Sequence, residues 1–178
     1  MRILPLFILA PLMGCTSLVM STVMALDDLD PMTADPAGFV VALDVPAPLA
    51  MVKDSVVFEF GATRSDTGET QGGTYTLIET RDEQDRVVYR LPPQGVEDIR
   101  ATQLNATTWT ETGGNELSLR VTFDFCRTLE TTVPDDIEFS IFIRLAKDAP
   151  ILPLVRNSRV TEVIDANALN ELELCAAP

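Results

Sequence analysis

Cysteines and carboxylates are the side chains with the widest chemical scope in this sequence, because its 178 residues contain no histidine. Without imidazole, a Ser-His-Asp or Cys-His catalytic centre and a histidine-ligated zinc or haem are excluded. The three cysteines are Cys15, Cys126 and Cys175. No two of them have the C-x-x-C spacing of redox-active pairs, so we expect structural roles for them.

The acidic residues form clusters that turn and spacer chemistry explains better than catalysis. In the acidic stretch 26–38, neither Asp28 nor Asp30 starts an EF-hand pattern, which requires glycine at the sixth position and glutamate at the twelfth. The cluster at 82–85 falls in a predicted hairpin tip, where Asp favours turns. We therefore predict no catalytic residue, no metal site and no cofactor. A carboxylate-based hydrolase stays open as an alternative, since its carboxylate pair follows no local spacing rule.

The overall charge argues against nucleic acid as a partner. There are 13 Lys and Arg residues against 27 Asp and Glu, a net charge of −14, whereas phosphate neutralisation requires clustered basic residues. Hydrophobic residues make up 46% of the chain and charged residues 22%, which is ordinary usage for a globular protein. We therefore expect a folded, soluble domain with a core of normal size.

The N-terminus has the organisation of an export signal. Arg2 precedes an apolar run at residues 3–10, and the sequence Leu12-Met13-Gly14-Cys15 follows. This pattern resembles the lipobox of bacterial lipoproteins. The resemblance implies cleavage before Cys15, lipidation of its thiol and of the new amino terminus, and two or more acyl chains that anchor the protein stably. Because Thr16 and not aspartate follows, it also implies an outer-membrane location facing the periplasm.

Two other readings of the N-terminus remain open. Val23-Met24-Ala25 offers a small-residue site for ordinary secretory cleavage, which would release a soluble chain. Residues 3–26 carry no charge and are long enough to span a bilayer as an uncleaved anchor. All three readings place the domain outside the cytoplasm.

Export bears on the other two cysteines. If Cys15 is lipidated, Cys126 and Cys175 remain as a pair that an oxidising compartment can join. Their disulfide would close a loop of about 50 residues and stabilise the fold by about 4 kcal/mol on the chain-entropy model. We predict that their Cα atoms lie within about 7 Å of each other.

Hydrophobic alternation predicts that strands dominate behind the signal. We divide the chain into a signal peptide (1–14), a lipidated acidic tether (15–38) and a single domain (39–178). Residues 116–126 show the clearest pattern, with Leu117, Leu119, Val121, Phe123 and Phe125 on one face. In 55–64, Val56, Phe58 and Phe60 alternate with Val57, Glu59 and Gly61, which predicts a half-buried strand. The predicted strands are 39–45, 55–64, 74–80, 86–91, 116–126, 138–145 and 151–157, with a hairpin joining the third and fourth.

One helix interrupts these strands. The segment 96–109 places Val96, Ile99, Gln103 and Leu104 near helical spacing and includes Trp109, while 161–174 is ambiguous between helix and strand. The pattern favours an antiparallel β-sandwich of about seven strands with one crossing helix. Trp109 lies in the predicted helix, so the tryptophan between paired strands that marks an immunoglobulin domain is missing.

The combined pattern predicts a non-enzymatic role for an envelope lipoprotein. The expected function is binding, scaffolding or envelope assembly, with contact to the membrane through the lipid anchor and to a protein partner of unknown identity. A periplasmic inhibitor or adhesin that uses an exposed loop at 65–73 is a further alternative. An apolar, rimmed surface would favour a protein partner, whereas a deep pocket with converging carboxylates would favour chemistry.

Overall fold

The computed structural model describes residues 32–83, 86–147 and 149–176. The predicted signal peptide, Cys15 and the alternative cleavage site after Ala25 lie outside the described residues. Within them the structure is mainly β, with antiparallel sheets and one long helix, which confirms the predicted fold class. Among the described residues, no helix combines the length and apolar character needed to cross a bilayer.

The described part of the chain forms ten short strands, where the sequence predicted about seven. They are β1 Val40–Asp44, β2 Leu49–Met51, β3 Val57–Arg64, β4 Thr70–Thr76, β5 Ile78–Arg81, β6 Val87–Arg90, β7 Asn115–Thr122, β8 Phe125–Arg127, β9 Glu138–Arg144 and β10 Leu152–Arg159. The α-helices are α1 Pro93–Thr112 and α2 Ala166–Glu171, and short 3-10 helices span Pro36–Gly38 and Val160–Glu162. A five-stranded sheet has the order β10-β9-β1-β6-β5, a three-stranded sheet has the order β4-β3-β7, and β2 pairs with β8.

The main core lies between the five-stranded and three-stranded sheets. Alternation along β3 directs Phe58, Phe60 and Ala62 to the buried face, as the sequence predicted. Val41 of β1 belongs to the same apolar cluster, and the ring of Phe39 lies 4.2 Å from that of Phe58. The two sheets therefore share one core, as the layers of a sandwich do.

Helix α1 covers part of the three-stranded sheet. It begins at Pro93, whose fixed φ suits a first helical turn. Ile99 packs into the main core, while Ala106 and Trp109 pack around Ala62. The helix ends before Gly114, which has a φ of 84°. The helix and the position of Trp109 are confirmed, but Leu104 is 71% exposed, because it projects from the side of α1 opposite the core.

Two strands that the sequence predicted as continuous are each divided between two sheets. The predicted strand 74–80 becomes β4 and β5, and the chain changes sheets at the buried Leu77, whose N–H donates to Val56 O at 2.8 Å. The predicted strand 116–126 becomes β7 and β8 and breaks at residues 123–124. Asp124 N–H there donates to Ser55 Oγ at 3.1 Å. In both places the alternation continues locally, but the hydrogen-bonding partner changes.

Three smaller elements differ from the sequence predictions. Strand β2 forms directly after Pro48, between the predicted strands 39–45 and 55–64, because it pairs with β8. The ambiguous segment 161–174 contains α2, whose N-cap Asp165 accepts a hydrogen bond from Asn167 N–H at 2.8 Å. The loop expected at 65–73 is shorter, since β4 starts at Thr70 and pairs with β3.

A second apolar cluster packs beside the main core. Its buried members include Phe125 of β8, Phe139 of β9 and Leu169 of α2. Phe123, Phe125 and Phe139 contact one another edge to face, with ring centroids 5.4 to 6.2 Å apart. This cluster brings the C-terminal segment against β8, next to Cys126.

Candidate functional site

The disulfide predicted between Cys126 and Cys175 is present. Their Cα atoms are 5.0 Å apart, within the predicted limit, although 49 positions separate the two residues in sequence. Cys126 lies in β8 and is buried, while Cys175 follows α2 in the C-terminal tail. The bond therefore fastens the tail to the inner part of the fold.

Backbone hydrogen bonds to Arg127 also hold the tail. Arg127 N–H donates to Glu173 O at 2.9 Å, and Cys175 N–H donates to Arg127 O at 2.8 Å. The Arg127 Nε–H donates to Leu172 O at 2.7 Å. In addition to the predicted disulfide, the segment 172–175 therefore lies along β8 in a strand-like contact.

Between this tail and β5 lies a groove of about 950 Å³ that we call the tail groove. Its apolar floor is buried and its rim is exposed and mainly acidic. The floor is formed by Val56, Leu77, Tyr89 and Phe125, the rim by Lys53, Asp54, Glu79, Glu171 and Glu173, and one wall by residues 172–176.

Among the four floor side chains only Tyr89 has a polar group, a hydroxyl that donates to Glu79 Oε2 at 3.5 Å. Burial, together with the negative charge and hydrogen bond of Glu79, raises the pKa of Tyr89 to about 12. The phenol therefore remains protonated at neutral pH. It is a hydrogen-bond donor in the groove rather than a base or nucleophile.

Polar side chains elsewhere in the fold also have structural partners. Ser55 Oγ, near Lys53, donates to Val52 O at 2.8 Å and accepts from Asp124 N–H, so it fastens the end of the β2 segment to β8. Asp82 accepts from Arg86 N–H at 2.9 Å across the hairpin tip, which agrees with the predicted turn chemistry. In the part of the chain that the structure describes, no group of three or more acidic or cysteine residues is placed to hold a metal ion.

The sequence did not predict the tail groove. Its walls come from segments far apart in the chain, and only Cys175 and the neighbouring glutamates Glu171 and Glu173 hinted that the C-terminus lies against the fold. No protein-family model matches the chain, and comparisons with curated proteins and with solved structures gave no match. Function is therefore inferred from the geometry of the chain itself.

Proposed function

We propose that this chain is an extracytoplasmic binding protein, anchored through lipid on Cys15 in the outer membrane of a bacterium and facing the periplasm. It performs no catalysis, and it takes an extended segment of a partner protein into the tail groove. The observation that carries the proposal is the groove itself, an apolar floor with a charged rim beside a covalently fastened tail. The resemblance of residues 12–15 to a lipobox and the use of a disulfide both support export.

The shape of the groove favours an extended peptide. Among the described residues, strand β5 is the edge of the five-stranded sheet and has β6 as its neighbouring strand, so its outer edge can accept a further strand. Leu77 and Glu79, in and beside this strand, line the groove. A partner strand added at such an edge gains main-chain hydrogen bonds, and its alternate side chains enter the groove.

The charge of the rim favours a basic partner. The charged side chains of the rim are one cation, Lys53, and four carboxylates, which belong to Asp54, Glu79, Glu171 and Glu173. Val52 and Leu174 add exposed apolar surface at the same place. A segment that alternates basic and apolar residues is therefore complementary to both floor and rim.

Peptide binding tests the groove. The full chain in neutral detergent is titrated, by fluorescence anisotropy, against a labelled peptide that alternates Lys and Val and against its Glu-Val counterpart. We expect the Lys-Val peptide to bind at least about ten times more tightly, and Glu171→Lys with Glu173→Lys to abolish that preference. The control, Glu130→Lys with Glu138→Lys, changes the net charge equally at exposed positions outside the groove lining. Equal affinities for both peptides, or an equal effect of the control, would refute a peptide-binding groove.

Membrane partition tests the anchor. In the bacterium of origin we expect the wild-type chain to enter the detergent phase, and Cys15→Ala to accumulate as an uncleaved precursor. The N-terminus of the mature wild-type chain is read by mass spectrometry. A soluble chain beginning at Leu26 would show ordinary secretory cleavage and contradict the lipid anchor.

A further inference from the structure

Four arginines of this strongly acidic chain line one cavity on the outer side of the five-stranded sheet. The cavity has a volume of about 360 Å³ and lies between the β5–β6 hairpin and the connection from β9 to β10. We call it the arginine cavity. Its charged lining residues are Arg81, Arg86, Arg90, Arg144, Asp82 and Glu83.

Strand register explains why two of these arginines are neighbours. Val40 of β1 is the cross-strand partner of both Arg90 in β6 and Arg144 in β9. Residues directly opposite in a sheet lie on the same face, and two strand spacings put the two arginine Cα atoms about 10 Å apart. Val40 between them is fully buried, as is Val88 in the next row of that face. The two cations therefore flank an apolar patch.

Among the described residues, each of these two arginines donates a side-chain hydrogen bond through Nε but none through Nη1 or Nη2. Arg90 Nε–H donates to Thr80 Oγ1 at 3.2 Å, and Arg144 Nε–H donates to Gly38 O at 3.2 Å. Thr80 in turn donates to Val88 O. Within the described residues, no ion pair or further side-chain hydrogen bond involves Arg90 or Arg144. Arg86, by contrast, pairs with Asp82 at 2.7 Å.

Two half-buried cations without carboxylate partners among the described residues line one cavity of a chain whose net charge is −14. An anion bound in this cavity would supply the missing counter-charge, and the acidic surface elsewhere would direct anions to it. Each guanidinium presents a planar fork that one carboxylate can saturate with its two oxygens. A phosphate group has enough oxygens to accept a bidentate fork from each arginine at once, whereas the two oxygens of a carboxylate are occupied by a single fork.

We propose that the arginine cavity is a binding site for a phosphate group, held chiefly by Arg90 and Arg144. The Gly38 carbonyl that fixes Arg144 directly precedes the first core residue Phe39, so the site lies where the N-terminal segment enters the fold. That position offers two sources of the same chemistry, the phosphate of a lipid headgroup and a soluble phosphate compound. The proposal does not depend on a ligand in the tail groove.

Calorimetric titration of the full chain in neutral detergent tests the site. Inorganic phosphate is the probe, and acetate at matched ionic strength is the control anion. We expect phosphate to bind and acetate to bind at least about tenfold more weakly, and Arg90→Gln with Arg144→Gln to weaken phosphate binding by at least about tenfold. Arg120→Gln is the matched control, since Arg120 is an exposed cation on the three-stranded sheet. Equal responses to both anions, or an equal loss in R120Q, would overturn the proposal.

A charge-preserving variant covers the case in which the double glutamine variant does not fold. Arg90→Lys with Arg144→Lys keeps both charges but removes both forks and both Nε–H donors. We expect its phosphate affinity to fall at least about fivefold while circular dichroism shows an unchanged fold. Wild-type affinity in the lysine variant would contradict recognition by arginine forks.

Reconstitution distinguishes the two sources of phosphate. The chain is placed in phosphatidylcholine vesicles with or without phosphatidylglycerol, and its Tm is measured with and without added phosphate. If the site takes a lipid headgroup, phosphatidylglycerol raises the Tm of the wild type but not of the glutamine variant, and added phosphate then has no further effect. If it takes a soluble phosphate, the Tm responds to added phosphate equally in both vesicles. A Tm that responds to neither addition would overturn the proposal.

Discussion

Asp35 accepts a hydrogen bond from Arg100 Nη2 at 2.8 Å, and this ion pair fastens the segment before β1 to helix α1. The neighbouring Gln103 Nε2 donates to Ala34 O at 2.8 Å, and Asp35 itself accepts from Ala37 N–H at 3.1 Å. The last part of the acidic stretch that the sequence indicated as a solvated spacer is therefore attached to the fold. Two buried residues, Pro36 and Gly38, continue this attachment.

The ion pair between Asp35 and Arg100 predicts a lowered pKa for Asp35, which a titration in acid can measure. The hydrogen bond from Arg100, followed by that from Ala37 N–H, holds the pKa of Asp35 below its usual value of 3.8. The stabilisation is present above pH 3.8 and is lost as the pH falls through the lowered pKa. We expect Arg100→Ala to raise this pKa toward 3.8, as followed by carboxyl NMR. Because both side chains are about half exposed and solvent screens their charges, the loss of stability should be small. An unchanged pKa would exclude this pairing in solution, and Arg120→Ala serves as the control.

Loss of the disulfide should destabilise the fold moderately. We expect Cys175→Ser to lower the free energy of unfolding by about 2 kcal/mol, measured by urea denaturation. This is less than the about 4 kcal/mol of the chain-entropy model, because hydrogen bonds with Arg127 still hold the tail. Cys126→Ser with Cys175→Ser should give the same value. If thiol titration of the oxidised wild type found two free thiols at these positions, the covalent link would be disproved.

The paired strands β3 and β7 offer a matched test of the core. Phe60 and Leu119 are cross-strand partners, but Phe60 is 4% exposed and Leu119 is 48% exposed. We expect Phe60→Ala to cost about 3–5 kcal/mol and Leu119→Ala less than about 1 kcal/mol in urea unfolding. Similar losses for the two variants would mean that β7 is buried more deeply than the structure shows.

The pKa values of both tyrosines should lie above the usual value of a tyrosine. Burial raises the pKa of Tyr75 above 10.0 and, with the charge of Glu79, raises that of Tyr89 to about 12. The associated stability is fully present below pH 10 and is lost as the pH rises from there to about 12, because only the unfolded chain ionises easily in that window. Ultraviolet absorbance titration of Tyr75→Phe isolates Tyr89. A midpoint near 10 in the folded chain would contradict its burial in the tail groove.

The local sequence pattern was sufficient to predict several features of this fold. The alternation of Phe58 and Phe60 identified a strand and its buried face, since successive side chains of a strand point to opposite sides. Helical spacing placed Trp109 in α1. The number of cysteines, with Cys15 interpreted as a lipid site, was enough to pair Cys126 with Cys175. Each of these inferences needs only the chain's own periodicity or composition.

The pairing of strands that are distant in sequence determined the remaining features of the fold and both cavities. Alternation is the same whichever sheet a strand joins, so it carried no sign that the chain changes sheets at Leu77 or at residues 123–124. For the same reason the sequence left Arg90 and Arg144 as scattered basic residues, and only the common partner Val40 brings them to one cavity. The tail groove arises likewise from β5, β8 and the C-terminal tail. Strand neighbours depend on tertiary hydrogen bonds between distant segments, and a residue's local sequence does not encode them.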